Sequence, residues 1–272
     1  MARGMSHGDK LSDCRLDRVP RDFPPHMCTV SFSPNRSGFV LAMNRDEQRS
    51  RASGLPPRRV QRGMLETVFP SEPSGGTWIG VSGWGNCLAL INWYSVATRV
   101  KADPISRGVL IPDSLSSLTP EETEQRIRTQ PLNRINPFRL IGIFPGEQRV
   151  REWCWDLEAL RTRIHPWALE VWISSGWDEA GAQASRGNHF RQSLSQLGAG
   201  HLDWLRQFHR SHDPEPGPYS TCMHRKDAST VSYTEVEVSE TRVQMRYQLG
   251  SPCCPALRSE EAMERKFVEW PG

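Results

Sequence analysis

The sequence is organised in pairs of short apolar segments that alternate in polarity and are separated by turn-forming residues. "CTVSF" (28–32) and "FVLAMN" (39–44) flank "SPNRSG", and the runs from Thr77 to Ser82 and from Cys87 to Asn92 flank "GWGN". Later, "RLIGIF" and "RVREWCW" flank "PGEQ", and "STVSYTEVEV" and "TRVQMRYQL" flank a short polar turn. Such pairs predict β-hairpins. Consecutive hairpins favour antiparallel sheets over a βαβ repeat.

Helical patterns separate these hairpins. "TPEETEQRIRTQ" opens with Thr119 as N-cap, Pro120 at N1 and Glu122 completing a capping box. "SRGVLIPDSLSS" and residues 182–198 and 200–210 also have helical character, and "SEEAMERKFVEW" predicts a final helix. We therefore predict an α+β fold of antiparallel sheets and helices.

The first 26 residues differ from the rest of the chain. They are polar, charged and interrupted by prolines, and they contain too few apolar residues to form a core. We expect either a disordered extension or a wrongly assigned start upstream of Met27. Residues 27–272 are then expected to form a single domain.

Composition excludes several classes of partner. The 34 basic and 31 acidic residues are too balanced to indicate a nucleic acid partner. No apolar run is long enough for a membrane span, and residues 1–26 lack the apolar centre of a signal peptide, so a cytoplasmic location is expected. A small-molecule substrate or ligand remains, and the oligomeric state is left open.

The cysteines and histidines give no metal signature along the chain. The seven cysteines form no C-x-x-C pair, and Cys253 and Cys254 are adjacent, which suits neither a disulfide framework nor one metal site. "HRSHD" (209–213) follows a predicted helix, where histidines are typically exposed or complement the helix dipole. We predict no metal and no cofactor.

Basic residues concentrate in one stretch that contains proline and glycine. This stretch predicts a loop, and its arginines either face solvent or contact an anionic substrate. They are Arg49, Arg51, Arg58, Arg59 and Arg62.

Cys28 is the first candidate for chemistry. If translation begins at Met27 and that residue is removed, Cys28 carries both a thiol and a free α-amine. The amine, with a pKa of about 8, can take the thiol proton near neutral pH, so that no catalytic histidine is needed. The alternative is that Cys28 is a small core residue at the start of a strand.

"NRDE" (44–47) follows the second strand and returns to the neighbourhood of Cys28 if the two strands form a hairpin. Asp46 is placed to orient the α-amine, Arg45 to hold a substrate carboxylate or pair with Asp46, and Asn44 to offer its amide to the backbone. Glu47 completes the group of substrate-contact candidates. A solvated turn is the alternative.

Three further segments supply candidates. "GGTWIG" (75–80) lacks the lysine of a P-loop; it either turns into a strand with Trp78 in the core or lets a substrate approach the backbone. Asn92 ends a strand, where it either caps the chain or stabilises an oxyanion. Arg225, in a predicted strand or turn with His224, is either solvated or an anion clamp.

"MCTVSF", "NRDE", "GGTWIG" and "ALINWY" occur in this order, and with these motifs the sequence resembles the NRDE family, also called the transport and Golgi organisation 2 family. The resemblance is strongest over residues 27–110 and extends more weakly to about residue 250. This family is similar to N-terminal-nucleophile hydrolases of the penicillin acylase and bile-salt hydrolase group. The resemblance therefore implies a four-layer αββα sandwich and a chain start at Met27.

The resemblance also implies roles for individual residues. It makes Cys28 the nucleophile, Asp46 a neighbour of the α-amine, Arg45 a substrate or network contact and Asn92 an oxyanion donor. Arg225 corresponds loosely to a late arginine of those hydrolases. Where relatives often have an asparagine, this chain reads "WISSGWDEAG", so Ser174 or Ser175 is the substitute candidate.

Three hypotheses about function follow, of which the third is a scaffold that binds no small ligand. The first is an N-terminal-cysteine amidohydrolase that cleaves a non-peptide C–N amide bond through a thioester acyl-enzyme. The second, implied by what relatives are linked to, is a non-catalytic protein of the same fold that binds or handles haem, lipid or acyl-CoA. The sequence shows no recognisable pair of axial haem ligands.

Overall fold

A computed structural model describes residues 27–63 and 65–267 of the chain. The strands are β1 (Met27–Asn35), β2 (Gly38–Gln48), β3 (Leu55–Arg62), β4 (Leu65–Ser71), β5 (Ile79–Ser82), β6 (Cys87–Asn92), β7 (Phe138–Phe144), β8 (Arg149–Trp155), β9 (Leu160–His165), β10 (Glu170–Ser175), β11 (Ala228–Val238), β12 (Arg242–Leu249) and β13 (Arg258–Glu264). The helices are α1 (Leu110–Ser114), α2 (Pro120–Arg128), α3 (Glu179–Ser193) and α4 (Leu202–Arg210). The predicted extension at residues 1–26 lies outside the described part.

The strands form two antiparallel sheets. The first sheet has the order β10-β1-β2-β11-β12-β13, and the second runs in sequence order from β3 to β9. Because every neighbouring pair is antiparallel, the hairpins predicted from the turn motifs are confirmed. The first sheet combines strands from the start, the middle and the end of the described chain, so that β1 pairs with β10 and β2 pairs with β11.

Three apolar clusters define the layers of the fold. The largest lies between the two sheets and includes Val30, Leu41 and Ile141. A second packs α1 and α2 on the outer face of the second sheet. A third packs Phe190 of α3 and Trp204 of α4 on the outer face of the first sheet. The order of layers is therefore helix, sheet, sheet, helix. The predicted four-layer αββα sandwich is confirmed.

The predicted arginine-rich loop is wrong for its second half, which forms β3. This strand lies at an edge of the second sheet, and among the described strands it pairs with β4 alone, with a register shift between Leu55 and Arg58. The shift accommodates Pro56 and Pro57, which lack the N–H group that a regular ladder needs. Charged side chains on an edge strand also hinder pairing with another chain.

The predicted C-terminal helix is also wrong where it lies within the described residues. Residues 258–264 form β13, which pairs with β12 at the other edge of the first sheet. Met263 is buried in the core between the sheets, whereas Glu260 and Glu264 face cations of β12 or solvent. This alternation has the two-residue period of a strand, which the many helix-favouring residues concealed.

The remaining predicted helices are confirmed near their expected positions. Thr119 caps α2, since its side chain accepts from the backbone N–H of Glu122. The Glu122 carboxylate accepts from the N–H of Leu118, one residue before the expected partner. None of the helices in the described part of the chain has the length and apolar character needed to cross a membrane.

A buried carboxylate joins α4 to the first sheet. Glu235 on β11 accepts from Arg206 of α4 at 2.5 and 2.9 Å, from Arg246 of β12 at 3.1 Å and from the Tyr233 hydroxyl at 3.0 Å. Burial favours the neutral acid, but the hydrogen bonds and charge of Arg206 outweigh it and hold the pKa of Glu235 below its ordinary value. The charged form is therefore the one that stabilises the helix layer.

We predict that Glu235→Gln lowers the free energy of unfolding by about 2–4 kcal/mol, because Arg206 and Arg246 lose the buried negative charge that they share. The matched control is Glu260→Gln, which removes an exposed carboxylate from the same Arg246 and should cost less than about 1 kcal/mol. Urea unfolding measures both values. Because folding lowers the pKa of Glu235, its carboxylate stabilises the fold only at a pH where it is ionised. The difference in unfolding free energy between wild type and Glu235→Gln should therefore shrink as the pH falls. Equal losses for the two variants would contradict this assignment.

Candidate active site

Cys28 lies on β1 at the wall of a pocket between the two sheets, with a volume of about 300 Å³. Its side chain faces the inter-sheet core, and only 8% of the residue is exposed. The register places Cys28 opposite Arg45 on β2 and opposite Ser174 on β10. Seven predicted site residues line this pocket: Cys28, Arg45, Asp46, Glu47, Arg51, Trp78 and Asn92.

Successive residues of the "NRDE" segment point to opposite faces of β2, as the two-residue period of a strand requires. Arg45 faces the space between the sheets, where its guanidinium lies 4.4 Å from the centre of the Trp78 ring. Asn44 faces the helix layer and donates to the carbonyl groups of His209 and Thr221 at 2.9 and 2.8 Å. The predicted bond between the Asn44 amide and the backbone is present.

Asp46 is fully buried on the helix-facing side. Its carboxylate accepts from Arg186 of α3 at 3.2 Å and from the Thr230 hydroxyl at 2.6 Å. Burial raises the pKa of Asp46 to about 6, although the charge of Arg186 acts to lower it. Arg186 also donates to Thr29 on β1 at 2.7 Å. One guanidinium therefore holds the positions of both β1 and β2.

The Cys28 thiol is a poor nucleophile while Met27 remains attached. Burial, with a further contribution from the Asp46 carboxylate, raises the pKa of the thiol to about 12. The backbone N–H of Asp46 donates to the sulfur and acts in the opposite direction. In this state the nitrogen of Cys28 is part of a peptide bond and has no basic lone pair.

Met27 occupies the space next to that nitrogen. It lies opposite Asp46 on one side and opposite Ser175 on the other. Its side chain is buried against Met223 and Ala228, and the Ser175 hydroxyl donates to its sulfur at 2.8 Å. Ser175 therefore lies beside the backbone of Met27 rather than among the residues that line the pocket.

The cations of the pocket are not equally available to a ligand. Arg45 pairs with Glu47 at 3.1 Å and with Glu72 at 2.7 Å, and Arg51 pairs with the same two carboxylates. Arg107 donates to the carbonyl of Pro137 at 3.1 Å, and no carboxylate of the described residues lies within ion-pair distance of it. Burial lowers the pKa of Arg107 from its ordinary value. Of these three arginines, Arg107 is therefore the one that forms no ion pair with the described residues.

Two glycine segments meet at the rim of the pocket. The N–H of Thr77 donates to the carbonyl of Gly108 at 3.0 Å. A Cβ atom on Gly108 would lie 2.9 Å from the nitrogen of Thr77 and 3.0 Å from the Cα of Gly76. Since both contacts are with backbone, neither partner can move aside locally. This approach fixes Ser106 and Arg107 relative to Trp78.

Some predicted residues lie elsewhere, and some residues of the site were not predicted. Asn44 faces the helix layer, and Arg225 pairs with Asp227 and stacks on Trp177 outside the pocket lining. The Asn92 amide donates to the Tyr94 hydroxyl at 2.8 Å and reaches the pocket. Sequence reasoning missed Glu72, Arg107, Asn136 and Arg186. Arg107 belongs to "SRGVLIP", so of these four it had a sequence signal.

His209 differs from the expectation of an exposed histidine at a helix end. It is fully buried, its Nε2 atom lies 2.7 Å from the Ser31 hydroxyl, and burial lowers its pKa to about 3. The neutral ring packs against Tyr233. His209 thus supports the helix layer and has no part in the pocket.

A second group of side chains gathers away from the pocket. His212, Cys222, His224 and Cys253 each place one ligand atom within 4.8 Å of the others. No metal site was predicted from the sequence, because cysteines and histidines that are neighbours along the chain lack the spacing of metal ligands. This group combines three separate loop positions, which such spacing does not reveal.

Comparison with known proteins gave one family model and solved structures that are similar to this chain. Residues 27–153 match the family model described as Transport and Golgi organisation 2. The comparison with curated proteins gave no match. Two solved structures are similar at low sequence identity. Penicillin V acylase from Agrobacterium tumefaciens has 11% identity and a TM-score of 0.48, with 82% of each chain covered. A mutant conjugated bile acid hydrolase from Clostridium perfringens has 10% identity and a TM-score of 0.49, with 89% of this chain and 97% of that chain covered.

The segment matched by the family model contains the three residues to which the sequence assigned catalysis, namely Cys28, Asp46 and Asn92. The resemblance inferred from four ordered motifs is thus confirmed over residues 27–153, which match the Transport and Golgi organisation 2 family.

Proposed function

We propose that this chain, once the residues up to Met27 are removed, is an N-terminal-cysteine amidohydrolase that cleaves a small, non-peptide C–N amide bond. One observation carries the proposal. Cys28 opens onto a polar pocket, and the β1–β2 register sets Asp46 opposite Met27, beside the place that a free Cys28 α-amine would take.

Removal of Met27 changes the chemistry of Cys28 in two ways. It creates an α-amine with an ordinary pKa of about 8, which is a base matched to neutral pH. It also uncovers the Asp46 carboxylate and the Ser175 hydroxyl, both of which lie next to Met27. These two groups would accept hydrogen bonds from the amine and hold it beside the thiol.

The reaction then proceeds in two halves. The α-amine takes the thiol proton, and the thiolate attacks the carbonyl carbon to form a tetrahedral oxyanion, with the Asn92 amide as donor. Collapse breaks the C–N bond, and the α-ammonium gives its proton to the leaving amine. Water attacks the resulting thioester with the α-amine as base, which releases the acid and restores the thiol.

The pocket also suggests the class of substrate. A volume of about 300 Å³ is at the lower end for ligand sites, so the substrate is small. Arg45 and Arg51 are already neutralised by Glu47 and Glu72, whereas the hydrogen-bond partner of Arg107 among residues 27–63 and 65–267 is a backbone carbonyl. A carboxylate on the substrate would satisfy Arg107 and set the distance between the anionic group and the scissile amide.

The alternative of haem, lipid or acyl-CoA handling has less support from this pocket. Haem and acyl chains need an extended apolar cavity. The lining here is rich in charged and amide groups, and it contains no histidine or methionine among the described residues. A haem titration with no shift of the Soret band would agree with this view.

We predict that freeing Cys28 activates its thiol. A chain in which a cleavable leader replaces residues 1–27 should react with a thiol-specific acyl probe at Cys28 at least about tenfold faster after cleavage than before, because the cleaved form carries its own base. Peptide mapping by mass spectrometry measures the rate at each cysteine.

Cys87 is the internal control, because it is fully buried and should stay unlabelled in both forms. Cys28→Ser should lose the signal at that position. Equal rates at Cys28 before and after cleavage would rule out the proposed role of the α-amine.

We also predict that the pKa of Asp46 reports the new amine. It is raised to about 6 in the chain that retains Met27. It should fall once an α-ammonium lies beside it, because an opposite charge favours the carboxylate. NMR titration of carboxyl carbons measures both values, and Asp46→Asn assigns the signal.

Asp156 provides the control in the same spectra. Hydrogen bonds from the backbone of Ala159 lower its pKa to about 2, and it lies far along the sequence on the β8–β9 turn. Its titration should be the same in both forms. An Asp46 titration that also stays unchanged would place the α-amine elsewhere.

A further inference from the structure

Four side chains that commonly bind metal ions gather where two loops meet, the loop between α4 and β11 and the loop between β12 and β13. They are His212, Cys222, His224 and Cys253, and their ligand atoms all lie within 4.8 Å of one another. We propose that these four residues bind one Zn²⁺ ion.

The distances within the cluster are close to those of a metal centre. The Nε2 atom of His224 lies 3.5 Å from the sulfur of Cys222 and 3.3 Å from the sulfur of Cys253. A tetrahedral zinc ion, with bonds of about 2.3 Å to sulfur and about 2.0 Å to nitrogen, separates neighbouring sulfur and nitrogen ligands by about 3.5 Å. The ion therefore fits with little movement of these groups.

The cluster also contains a polar atom that lacks a partner. The Nε2 atom of His212 is buried and makes no hydrogen bond within the described residues. The rings of His212 and His224 meet edge to face, with centres 5.0 Å apart. An imidazole nitrogen buried in this way is costly unless it is bonded. Coordination to the same ion as His224 would satisfy it.

The chemistry of the ligands favours zinc and a structural role. Two thiolates and two imidazoles in a tetrahedral arrangement are typical of Zn²⁺, and the two thiolates cancel its charge. Four protein ligands leave no coordination position for a substrate. Cys254 stands apart from the four, since it is exposed and its sulfur lies 3.8 Å from that of Cys253.

The ion would fix a segment that contacts the candidate active site. Met223 lies between two of the ligands, and its side chain packs against Met27. Its N–H donates to the Thr230 hydroxyl at 2.8 Å, and that hydroxyl donates to Asp46 at 2.6 Å. Zinc binding would therefore fix the position of Met223, which packs against Met27, and of Thr230, which donates to Asp46. The zinc proposal does not depend on amide hydrolysis, because the zinc content can be measured in the chain that retains Met27.

The test is elemental analysis of the full-length chain, purified under reducing conditions and equilibrated with equimolar ZnCl₂ before desalting. We expect about one zinc per chain. Cys222→Ser should raise the Kd for Zn²⁺ at least about tenfold, whereas Cys254→Ser, the adjacent cysteine outside the cluster, should keep full occupancy. Cobalt substitution of wild type should give the intense visible absorption of a tetrahedral ion with thiolate ligands.

Cys222 is buried, so two further measurements keep the test decisive if Cys222→Ser fails to fold. Cys253→Ser alters a half-buried ligand and should weaken binding in the same way. Removal of zinc from wild type with a chelator should lower Tm, and added ZnCl₂ should restore it. Wild type that neither retains nor binds zinc would overturn the proposal. So would equal loss in Cys254→Ser, or a Cys222–Cys253 disulfide in protein kept under reducing conditions.

Discussion

The buried ion pair between Asp46 and Arg186 is the contact on which the candidate active site depends. Both side chains are inaccessible to solvent, and the guanidinium bonds at once to Asp46 of β2 and Thr29 of β1. Breaking such a pair is costly because it leaves one charge buried without a partner. Arg186 thereby fixes α3 against the two strands that carry Cys28 and the "NRDE" segment. The geometry around Cys28 follows from this contact.

The alternation of side chains along β2 lets one short motif serve two layers. Asn44 and Asp46 hold the helix layer through His209 and Arg186, while Arg45 and Glu47 form the charged wall of the pocket. Neither function could be moved by one residue without exchanging the faces. This constraint gives a physical reason for a run of four consecutive polar residues inside a strand. The solvated turn that was the alternative interpretation does not occur here, since all four residues are buried.

The sequence predicted the parts of the fold that depend on local patterns. The hairpins around Cys28 and Asn92 combine alternating apolar residues with clear turn signals, and Thr119 provides a strong helix start. Local patterns failed at the sheet edges. Residues 55–62 and 258–264 are rich in charged residues or prolines, and their strand character comes from pairing with a neighbouring strand.

Contacts between residues far apart in sequence were beyond a reading of local patterns. Arg186 is 140 residues from Asp46, and Cys253 is 29 residues from His224. Their proximity is set by the order of strands in the first sheet. That order pairs β10, the strand before α3, with β1, and it pairs β11 with β12, so that the loops before β11 and after β12 meet. Arg107 was also missed, although its segment "SRGVLIP" is a recognisable motif. Its distinction from the other pocket arginines is that no carboxylate of the described residues pairs with it, and this depends on the folded surroundings.

The proposed function requires Asp46 and Cys28 to become one reactive unit when the Cys28 nitrogen is free. The decisive measurement is a crystal structure of the chain that begins at Cys28. We expect the α-nitrogen to lie within about 3.2 Å of the Asp46 carboxylate or the Ser175 hydroxyl, with the sulfur facing Asn92 and Arg107 across the pocket. An α-nitrogen that turns away from both groups, or a β1 strand that no longer pairs with β2 at Cys28, would contradict it.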